Sequence, residues 1–232
     1  MVDKTPARIR EMFDQISPRY DLLNHLLSLN SDVLWRRKAV ERLGPVKRVL
    51  DVCSGTGDMA FELRRRWGAR VVGSDFAYRM LEIGQAKARR RSLEEAVGFQ
   101  QADTLRLPFR DASFDAATVA FGIRNVVDAP RGIAEMARVT RPGGKVLILE
   151  FTLPRNALLR WGYLAYFGNV LPRIGRMIAR SEIDAYRYLP DSVAKWPSPD
   201  ELKAQMERAG LKDVGYDLLF GGVAAIHMGV RT

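Results

Sequence analysis

A glycine-containing segment near residue 50 carries the side chains with the clearest chemical potential. It reads Leu-Asp-Val-Cys-Ser-Gly-Thr-Gly-Asp over 50–58. Asp51 lies in an apolar run that ends at Val52, and Gly55 and Gly57 would let the backbone approach a ligand closely, because glycine has no Cβ. A second acid, Asp75, ends the next apolar run, 24 residues after Asp51. An acid at that place can accept hydrogen bonds from both hydroxyls of a ribose. The spacing predicts a ligand that contains a nucleoside.

Two classes of cofactor fit this segment. Gly55, Gly57 and Ala60 match the dinucleotide fingerprint G-x-G-x-x-G/A. Asp51, however, would repel a pyrophosphate and would tolerate a cationic methionyl group. Asp103 follows a third apolar run, where its carboxylate suits the amino group of adenine. These residues favour S-adenosylmethionine over a nicotinamide dinucleotide.

Strand and helix patterns alternate along the middle of the chain. The predicted strands are 48–52, 70–75, 99–103, 114–121 and 145–151, and two further strands, 214–219 and 223–230, could pair with each other. The predicted helices are 58–67, 78–91, 130–140 and 199–209, and a turn is expected at 142–144. Alternating strands and helices indicate an α/β fold with a parallel, doubly wound, Rossmann-like sheet. Ligands bind such sheets beyond the carboxyl ends of the strands, where Asp51 and Asp75 lie.

The chain is expected to form a single domain with four parts. Residues 1–45 form an N-terminal helical cap, and 46–153 form the cofactor-binding core. Residues 154–197 form a helical insertion that would act as a substrate lid, and 198–232 supply the final helix and strands. A length of 232 residues fits one domain of this size.

Composition narrows the class of protein. The chain is 47% hydrophobic and 28% charged, as in soluble globular proteins, and Cys53 is the only cysteine, which fits a reducing compartment. The start of the chain lacks the apolar stretch of a signal peptide, so a cytoplasmic location is expected. The net charge of +10 suggests contact with nucleic acid or with an anionic membrane surface. Residues 155–180 contain five arginines, several aromatic residues and no acid, which indicates either a solvated face or peripheral contact with the inner face of a membrane.

Several segments together resemble the ubiquinone/menaquinone-biosynthesis C-methyltransferases over nearly the whole chain. They are Met-Phe-Asp at 12–14, Arg-Tyr-Asp-Leu-Leu-Asn at 19–24, the glycine loop at 55–58, Phe-Gly-Ile-Arg-Asn-Val at 121–126, Leu-Glu-Phe at 149–151 and Tyr-Arg-Tyr-Leu-Pro at 186–190. The resemblance implies a class I methyltransferase fold and S-adenosylmethionine as cofactor. It also implies methylation of a ring carbon of a prenylated quinol, either demethylmenaquinol or a methoxy-benzoquinol precursor of ubiquinone.

Carried over residue by residue, the family's cofactor contacts fall on five positions. They are Thr56, Asp75, Asp103, Thr104 and Ala120. Some relatives have serine where this chain has Ala120, so a contact there would use the backbone.

Candidate catalytic residues follow the fourth strand. Arg124 could stabilise the phenolate that develops on the quinol, with Asn125 beside it. Alternatively, Arg124 caps a helix or pairs with Asp128 at i+4. No general base is evident, and no metal is expected, because His25 and His227 lack metal-ligand spacing.

Three further residues are assigned to the substrate side and the lid. Tyr20 and Asn24 are one helical turn apart and could cover the cofactor or pack against another helix. Arg187, in the Tyr-Arg-Tyr-Leu segment, is placed in the lid.

Three other functions compete with quinol methylation. They are methylation of nucleic acid or of another small molecule, a nicotinamide oxidoreductase, and a non-enzymatic basic membrane-binding module. The fourth predicted strand leads into Ala120-Phe121-Gly122, whereas methyltransferases that act on amino groups have an Asn/Asp-Pro-Pro-aromatic loop there. No separate RNA-binding module is evident either. Nucleic acid is therefore not an expected partner. A homodimer is left open.

Overall fold

The described residues contain one mixed seven-stranded sheet in the order β3-β2-β1-β4-β5-β7-β6. The computed structural model describes residues 10–11, 13–15, 17, 20–28, 30–165 and 192–232. The strands are β1 (Arg48–Val52), β2 (Arg70–Asp75), β3 (Val97–Gln101), β4 (Phe114–Ala120), β5 (Thr140–Phe151), β6 (Leu211–Leu219) and β7 (Ala224–Arg231). Neighbouring strands from β3 to β5 are parallel, and β7 runs antiparallel to both β5 and β6. The sheet confirms the predicted α/β class I fold, and the last two strands pair as expected.

Helices cover both faces of this sheet. They are α1 (Tyr20–Leu27), α2 (Ser31–Leu43), α3 (Asp58–Trp67), α4 (Tyr78–Arg90), α5 (Ala129–Val139), α6 (Ala157–Ala165) and α7 (Pro199–Arg208), with a 3-10 turn over Ile123–Asn125. Apolar side chains of α2 and α3 pack on one face of the sheet, and those of α5 and α7 pack on the other. The strands between them are apolar on both sides, as in other parallel sheets. Parallel order places the ends of β1, β2 and β4 at one edge.

Local sequence signals fix the ends of several helices. Asp128 caps α5 by accepting a hydrogen bond from the N–H of Arg131 at 3.0 Å. Ser198 and Glu201 form a reciprocal capping box at the start of α7. Gly68, with φ of 66°, ends α3 in the left-handed conformation that glycine adopts without strain. These signals explain why the predicted and observed bounds of the helices agree closely.

Two strands differ from the prediction for local reasons. β3 covers Val97–Gln101 instead of 99–103, because the Asp103 carboxylate accepts a hydrogen bond from the N–H of Leu105 at 2.9 Å and so forms a turn. β5 begins at Thr140, whereas the prediction began it at 145. Between two successive pairs with β4, the chain advances by five residues on β5 and by two on β4. Residues 142–144 therefore form an irregularity within the strand, and the prediction of a separate turn was wrong.

The predicted insertion is only partly within the described residues. Helix α6 and residues 192–194 are helical, as expected for that part of 154–197. Residues 166–191, which include Arg187, lie outside the described residues. The division of the chain into cap, core, insertion and final segment therefore stays a prediction. Within the described residues, no helix is long and apolar enough to cross a bilayer.

Candidate active site

Two adjoining cavities lie at the carboxyl ends of β1, β2 and β4. The first is lined by Gly55, Asp75, Asp103, Thr104 and Asn125, among other residues. The second is lined on the β1 side by Asp51, Thr56 and Ala120, among others. Tyr20, Cys53 and Gly55 line both cavities, so the two are neighbours. The structure therefore brings together nine of the predicted site residues, namely Tyr20, Asp51, Gly55, Thr56, Asp75, Asp103, Thr104, Ala120 and Asn125.

Asp75 is held by backbone donors at the end of β2. Its Oδ2 accepts a hydrogen bond from the N–H of Gly55 at 2.8 Å, and its Oδ1 accepts one from the N–H of Ala77 at 2.9 Å. Burial raises the pKa of this carboxyl group, and the hydrogen bonds from Ala77 and Gly55 act in the opposite direction. The side chain is fixed at the cavity wall, where a ribose could be recognised.

Asp51 faces the second cavity from the end of β1 and is 1% exposed. Its carboxylate accepts hydrogen bonds from the hydroxyls of Ser54 at 2.8 Å and Thr118 at 2.9 Å. Burial nevertheless raises the pKa of Asp51 to about 7. A cation bound in this cavity would compensate the charge, as the sequence predicted for a methionyl ammonium group.

The residues predicted to bind adenine follow β3. Asp103 is exposed and lines the first cavity beside buried Thr104. The Thr104 Oγ1 lies 3.5 Å from the Sγ of Cys53, a side chain between β1 and the glycine loop. Burial raises the pKa of the Cys53 thiol, so this group stays neutral and has a packing role.

The two glycines of the loop have different roles. Gly55 lines both cavities and donates to Asp75. Gly57 is not among the lining residues described for either cavity, and a Cβ added to it would lie 2.5 Å from the Phe99 ring. Gly57 also has φ of 91° and precedes α3 as its cap residue. Packing against Phe99 and the positive φ together require glycine at position 57. The structure gives no support for the predicted contact between Gly57 and a ligand.

A group of charged residues ties α1 to the glycine loop. The Thr56 hydroxyl donates to Asp21 at 2.5 Å and accepts from the Lys87 ammonium at 2.9 Å. Lys87 also contacts Asp21 at 2.6 Å and Asp58 at 3.0 Å. Sequence reasoning missed Asp21 and Lys87, because contacts across 29 to 66 residues leave no local pattern.

Tyr20 lies on α1 above the loop. It lines both cavities, and a Cβ added to Gly55 would lie 3.8 Å from its ring. The Asn24 side chain hydrogen-bonds to Tyr20, while burial raises the pKa of the phenol. Asn24 therefore supports Tyr20, and the cover that these residues would form over the cofactor stays a prediction. Arg187 cannot be placed, because it lies outside the described residues.

Arg124 forms a buried ion pair at the end of β5. The guanidinium is 6% exposed, and its Nη1 lies 2.8 Å from the Oε1 of Glu150. Nη1 also donates to the carbonyl oxygen of Phe121, and the guanidinium lies over the Phe151 ring at 5.2 Å. The structural alternatives for Arg124 were a helix cap or a pair with Asp128, and the structure shows contacts with Glu150 and Phe121. Burial raises the pKa of Glu150, and Arg124 lowers it.

Four aromatic rings extend from this ion pair along the edge of the sheet. The centroids of Phe121 and Phe151 are 4.6 Å apart. Trp35 lies 5.9 Å from Phe121 and 5.7 Å from Phe220, which is 56% exposed in the turn between β6 and β7. Phe121 also lines the first cavity. An apolar ring could pack against such a wall beside the cofactor region.

The two histidines take structural positions. The Nε2 of His227 lies 2.9 Å from the Pro199 carbonyl oxygen, and the residue is 2% exposed, so it is packed as expected. His25, Asp32 and Asp58 lie close enough together to hold a metal ion. Arg36 and Lys87 already contact the two carboxylates, at 2.5 Å and 3.0 Å. Cations of the protein therefore neutralise this group.

Comparison with known proteins agrees with this geometry. The model of the ubiE/COQ5 methyltransferase family matches residues 1–231. The demethylmenaquinone methyltransferase of Thermus thermophilus is 50% identical over 224 residues, which cover 95% of this chain and 100% of that protein. The ubiquinone/menaquinone biosynthesis C-methyltransferase UbiE of Geobacter sp. strain M21 is 47% identical, with 97% of this chain and 96% of the relative covered.

Solved structures support the fold independently of close sequence identity. The crystal structure of a SAM-dependent methyltransferase from Thermotoga maritima superposes with a TM-score of 0.68 at 20% identity, covering 97% of this chain and 100% of that one. A shared fold at this identity does not define a substrate. The family match, however, favours S-adenosylmethionine over the nicotinamide alternative. The chain thus belongs to the ubiE/COQ5 methyltransferase family and is an S-adenosylmethionine-dependent C-methyltransferase.

Proposed function

We propose that this enzyme methylates a ring carbon of demethylmenaquinol, with the aromatic wall beside the cofactor region as the acceptor site. The observation that carries the proposal is the position of Phe121, which lines the first cavity and packs against Phe151 at 4.6 Å. A quinol ring could stack against this wall. The 50% identity to a demethylmenaquinone methyltransferase supports this choice of acceptor.

The bound cofactor would supply an electrophilic methyl group, and the protein would position the ring carbon in line with it. Holding the two reactants in this way can contribute about 7–11 kcal/mol. Asn125 lines the first cavity and could donate a hydrogen bond to a quinol oxygen. Arg124 is the preceding residue in the chain and is buried behind the cavity lining, from where its guanidinium would stabilise negative charge on that oxygen. Glu150 would hold the guanidinium in place through the 2.8 Å contact.

The acceptor can be tested with purified enzyme and isotopically labelled cofactor. Short-tailed demethylmenaquinol and 2-methoxy-6-prenyl-benzoquinol are offered separately, and the methylated product is identified by mass spectrometry. We expect methylation of the naphthoquinol ring. Methylation of the benzoquinol alone would assign the enzyme to ubiquinone synthesis, the alternative suggested by the name of the Geobacter relative. Methylation of neither quinol would overturn the proposed function.

The role of Arg124 requires a matched set of variants, because its removal leaves Glu150 buried without this partner. Arg124→Leu should reduce turnover by a factor on the order of 10² to 10³, the effect of losing one oxyanion donor. The affinity for S-adenosylhomocysteine should stay within about twofold. Glu150→Gln keeps the guanidinium and loses the charge that orients it, so turnover should fall less. Near-normal turnover of Arg124→Leu would assign Arg124 a purely structural role.

We also propose that α6 brings the enzyme to a membrane surface, where a prenylated quinol resides. Leu158, Leu159 and Trp161 of α6 are 75%, 53% and 71% exposed, and Phe220 is 56% exposed nearby in the fold. A Cβ on Gly221 would lie 2.9 Å from Leu159, so α6 and the β6–β7 turn are neighbours. The net charge of +10 would add attraction to anionic lipid. Arg155 contributes less than the sequence suggested, because it pairs with Asp200 at 2.7 Å.

Co-sedimentation with vesicles tests this docking. Wild-type enzyme should bind phosphatidylglycerol vesicles at low salt and release them as salt increases. Replacing Leu158 and Trp161 together with serine should weaken binding, whereas Leu34→Ser, on a 41% exposed leucine of α2, should not. If the wild type ignores anionic vesicles, α6 forms a lid instead. Three of the five arginines in 155–180, namely Arg173, Arg176 and Arg180, lie outside the described residues. A cytoplasmic location and a homodimer also stay predictions.

A further inference from the structure

A groove to which methyl transfer gives no role runs along one face of α3. Asp58, Phe61, Glu62 and Arg65 line it, and their spacing of three or four residues places them on one stripe of the helix. Further lining residues come from α1, from α2 and from the segment after α4. The volume of the groove is about 490 Å³, within the range of about 300–1,000 Å³ that is typical of small-molecule sites.

The groove adjoins the cofactor region and is a separate space. Arg36 of α2 and Asp58 line both the groove and the second cavity. None of the described residues that line the first cavity also lines the groove. A ligand in the groove would therefore leave the first cavity open.

The described residues of the groove carry more positive than negative charge. Four arginines and two acids line it, namely Arg36, Arg64, Arg65, Arg91, Asp58 and Glu62. Both acids are already paired, because Arg65 contacts Glu62 at 2.6 Å and 2.9 Å, and Lys87 contacts Asp58 at 3.0 Å. Arg36 is paired with Asp32 outside the groove. The surplus positive charge of the groove therefore lies on the two remaining arginines, which have no carboxylate partner in the part of the chain that the structure describes.

Uncharged groups hold these two arginines in place. The Nη1 of Arg64 donates to the carbonyl oxygen of Gly68 at 2.6 Å. The Arg91 guanidinium lies over the Phe61 ring, 4.4 Å from its centroid. Both contacts orient the side chain and leave its charge uncompensated. Two such guanidinium groups suit a phosphate group, whose oxygens can accept paired hydrogen bonds from arginine.

Apolar side chains line the same groove. Val33 of α2, Phe61 of α3 and Leu93 after α4 all border it. A bare inorganic anion would leave these side chains without a contact, whereas an apolar group attached to the anion could be buried against them. The groove therefore combines a site for an anion with a site for an apolar chain.

We infer that the groove binds an organic phosphate, in which a phosphate group carries an apolar chain. The phosphate contacts Arg64 and Arg91, and the chain packs against Val33, Phe61 and Leu93. This second small-molecule site is independent of the quinol that the enzyme methylates. Its ligand takes no part in methyl transfer.

Calorimetry with octyl phosphate, at low salt and below its micelle concentration, tests the phosphate contacts. The double variant Arg64→Gln/Arg91→Gln should bind octyl phosphate at least about tenfold more weakly than the wild type, the scale of a lost charge-assisted contact. Arg89→Gln/Arg90→Gln is the matched control. It removes the same charge from exposed residues of α4 that are not among those lining the groove, so it should bind like the wild type.

Three results would overturn the inference. The wild type fails to bind octyl phosphate, the variant of Arg64 and Arg91 binds it as the wild type does, or both double variants lose the same affinity. The last result would assign the binding to the net charge of +10 instead of the groove.

A comparison with inorganic phosphate tests the apolar chain. Val33→Ser, at a half-buried position of α2, should bind octyl phosphate about three- to fivefold more weakly because it loses apolar contact, and should bind inorganic phosphate like the wild type. The wild type should bind octyl phosphate more tightly than inorganic phosphate. Equal affinity of the wild type for the two probes would overturn the assignment of an organic phosphate. Neither measurement involves methyl transfer, so both outcomes are independent of the proposed function.

Discussion

Replacing Asp51 with asparagine should stabilise the protein without cofactor and weaken cofactor binding. The carboxylate is 1% exposed, and burial raises its pKa from 3.8 to about 7. Below pH 4 the group is protonated in both the folded and the unfolded protein. Between pH 4 and pH 7 only the folded protein keeps the proton, so the free energy of unfolding falls as the pH rises through this window. Above pH 7 the Asp51 carboxylate is charged in both the folded and the unfolded protein, and the free energy of unfolding falls no further on its account.

The magnitude follows from the difference between the two pKa values. Each tenfold change in proton affinity corresponds to about 1.4 kcal/mol, so burial of the Asp51 charge costs up to about 4 kcal/mol at pH 8. Asparagine is neutral at every pH and keeps polar contact with the hydroxyls of Ser54 and Thr118. Asp51→Asn should therefore be more stable than the wild type by about 2–4 kcal/mol at pH 8. This advantage should shrink by about 3 kcal/mol on going to pH 5, where the wild type regains most of the loss.

Urea unfolding without cofactor at pH 5 and pH 8 measures this difference. Glu150 is also buried and titrates, but it is common to both proteins and cancels in the comparison. Asp75 lies close enough to Asp51 to raise its pKa, so its contribution cancels only in part. Asp213→Asn, at an exposed acid, should change stability by less than about 0.5 kcal/mol at either pH. Affinity of Asp51→Asn for S-adenosylhomocysteine should fall by about 10- to 100-fold. A gap in stability that is the same at both pH values would refute the reasoning.

Three further substitutions test the cofactor region. Asp75→Ala should abolish tight binding of S-adenosylhomocysteine in calorimetry while circular dichroism shows an intact fold; unchanged affinity would remove Asp75 from the site. Gly57→Ala should lower the free energy of unfolding by about 2–4 kcal/mol, because the Cβ meets the Phe99 ring at 2.5 Å and the backbone has φ of 91°; a urea midpoint like that of the wild type would show that the loop adapts. Lys87→Met removes the cation that joins Asp21 of α1 to the glycine loop, so cofactor dissociation measured by stopped-flow should accelerate about tenfold. An unchanged rate would show that α1 does not limit release of the cofactor.

Much of the fold could be predicted because its signals are local. β1, β2 and α3 have the predicted bounds, since apolar runs meet glycine or a helix cap at each end. The end of β3 was wrong by two residues because the Asp103 turn depends on a side-chain hydrogen bond that the apolar pattern does not encode. The start of β5 was wrong because Pro142 and the following glycines suggested a turn, whereas pairing with β4 resumes beyond them.

Some residues of the candidate site could be predicted from local signals, and others could not. Asp51 and Asp75 could be predicted to line the cavities, because each lies at or next to the carboxyl end of a strand and the parallel order of a doubly wound sheet brings these ends together. Arg36, Lys87 and Glu150 could not, because each reaches the site through contacts between elements far apart in sequence. Glu150 was noted only as part of a family resemblance. Its contact with Arg124 depends on β4 and β5 ending side by side.

The position of β7 in the sheet has a consequence for synthesis of the chain on the ribosome. β7 lies between β5 and β6, although it is made after both of them. β5 can pair with β4 as soon as it emerges, but its other edge, from Lys145 to Phe151, has to wait for residues 224–231. An unpaired apolar strand edge is a template for association with other chains. The nascent protein is therefore most exposed to aggregation while the roughly eighty residues after β5 are translated.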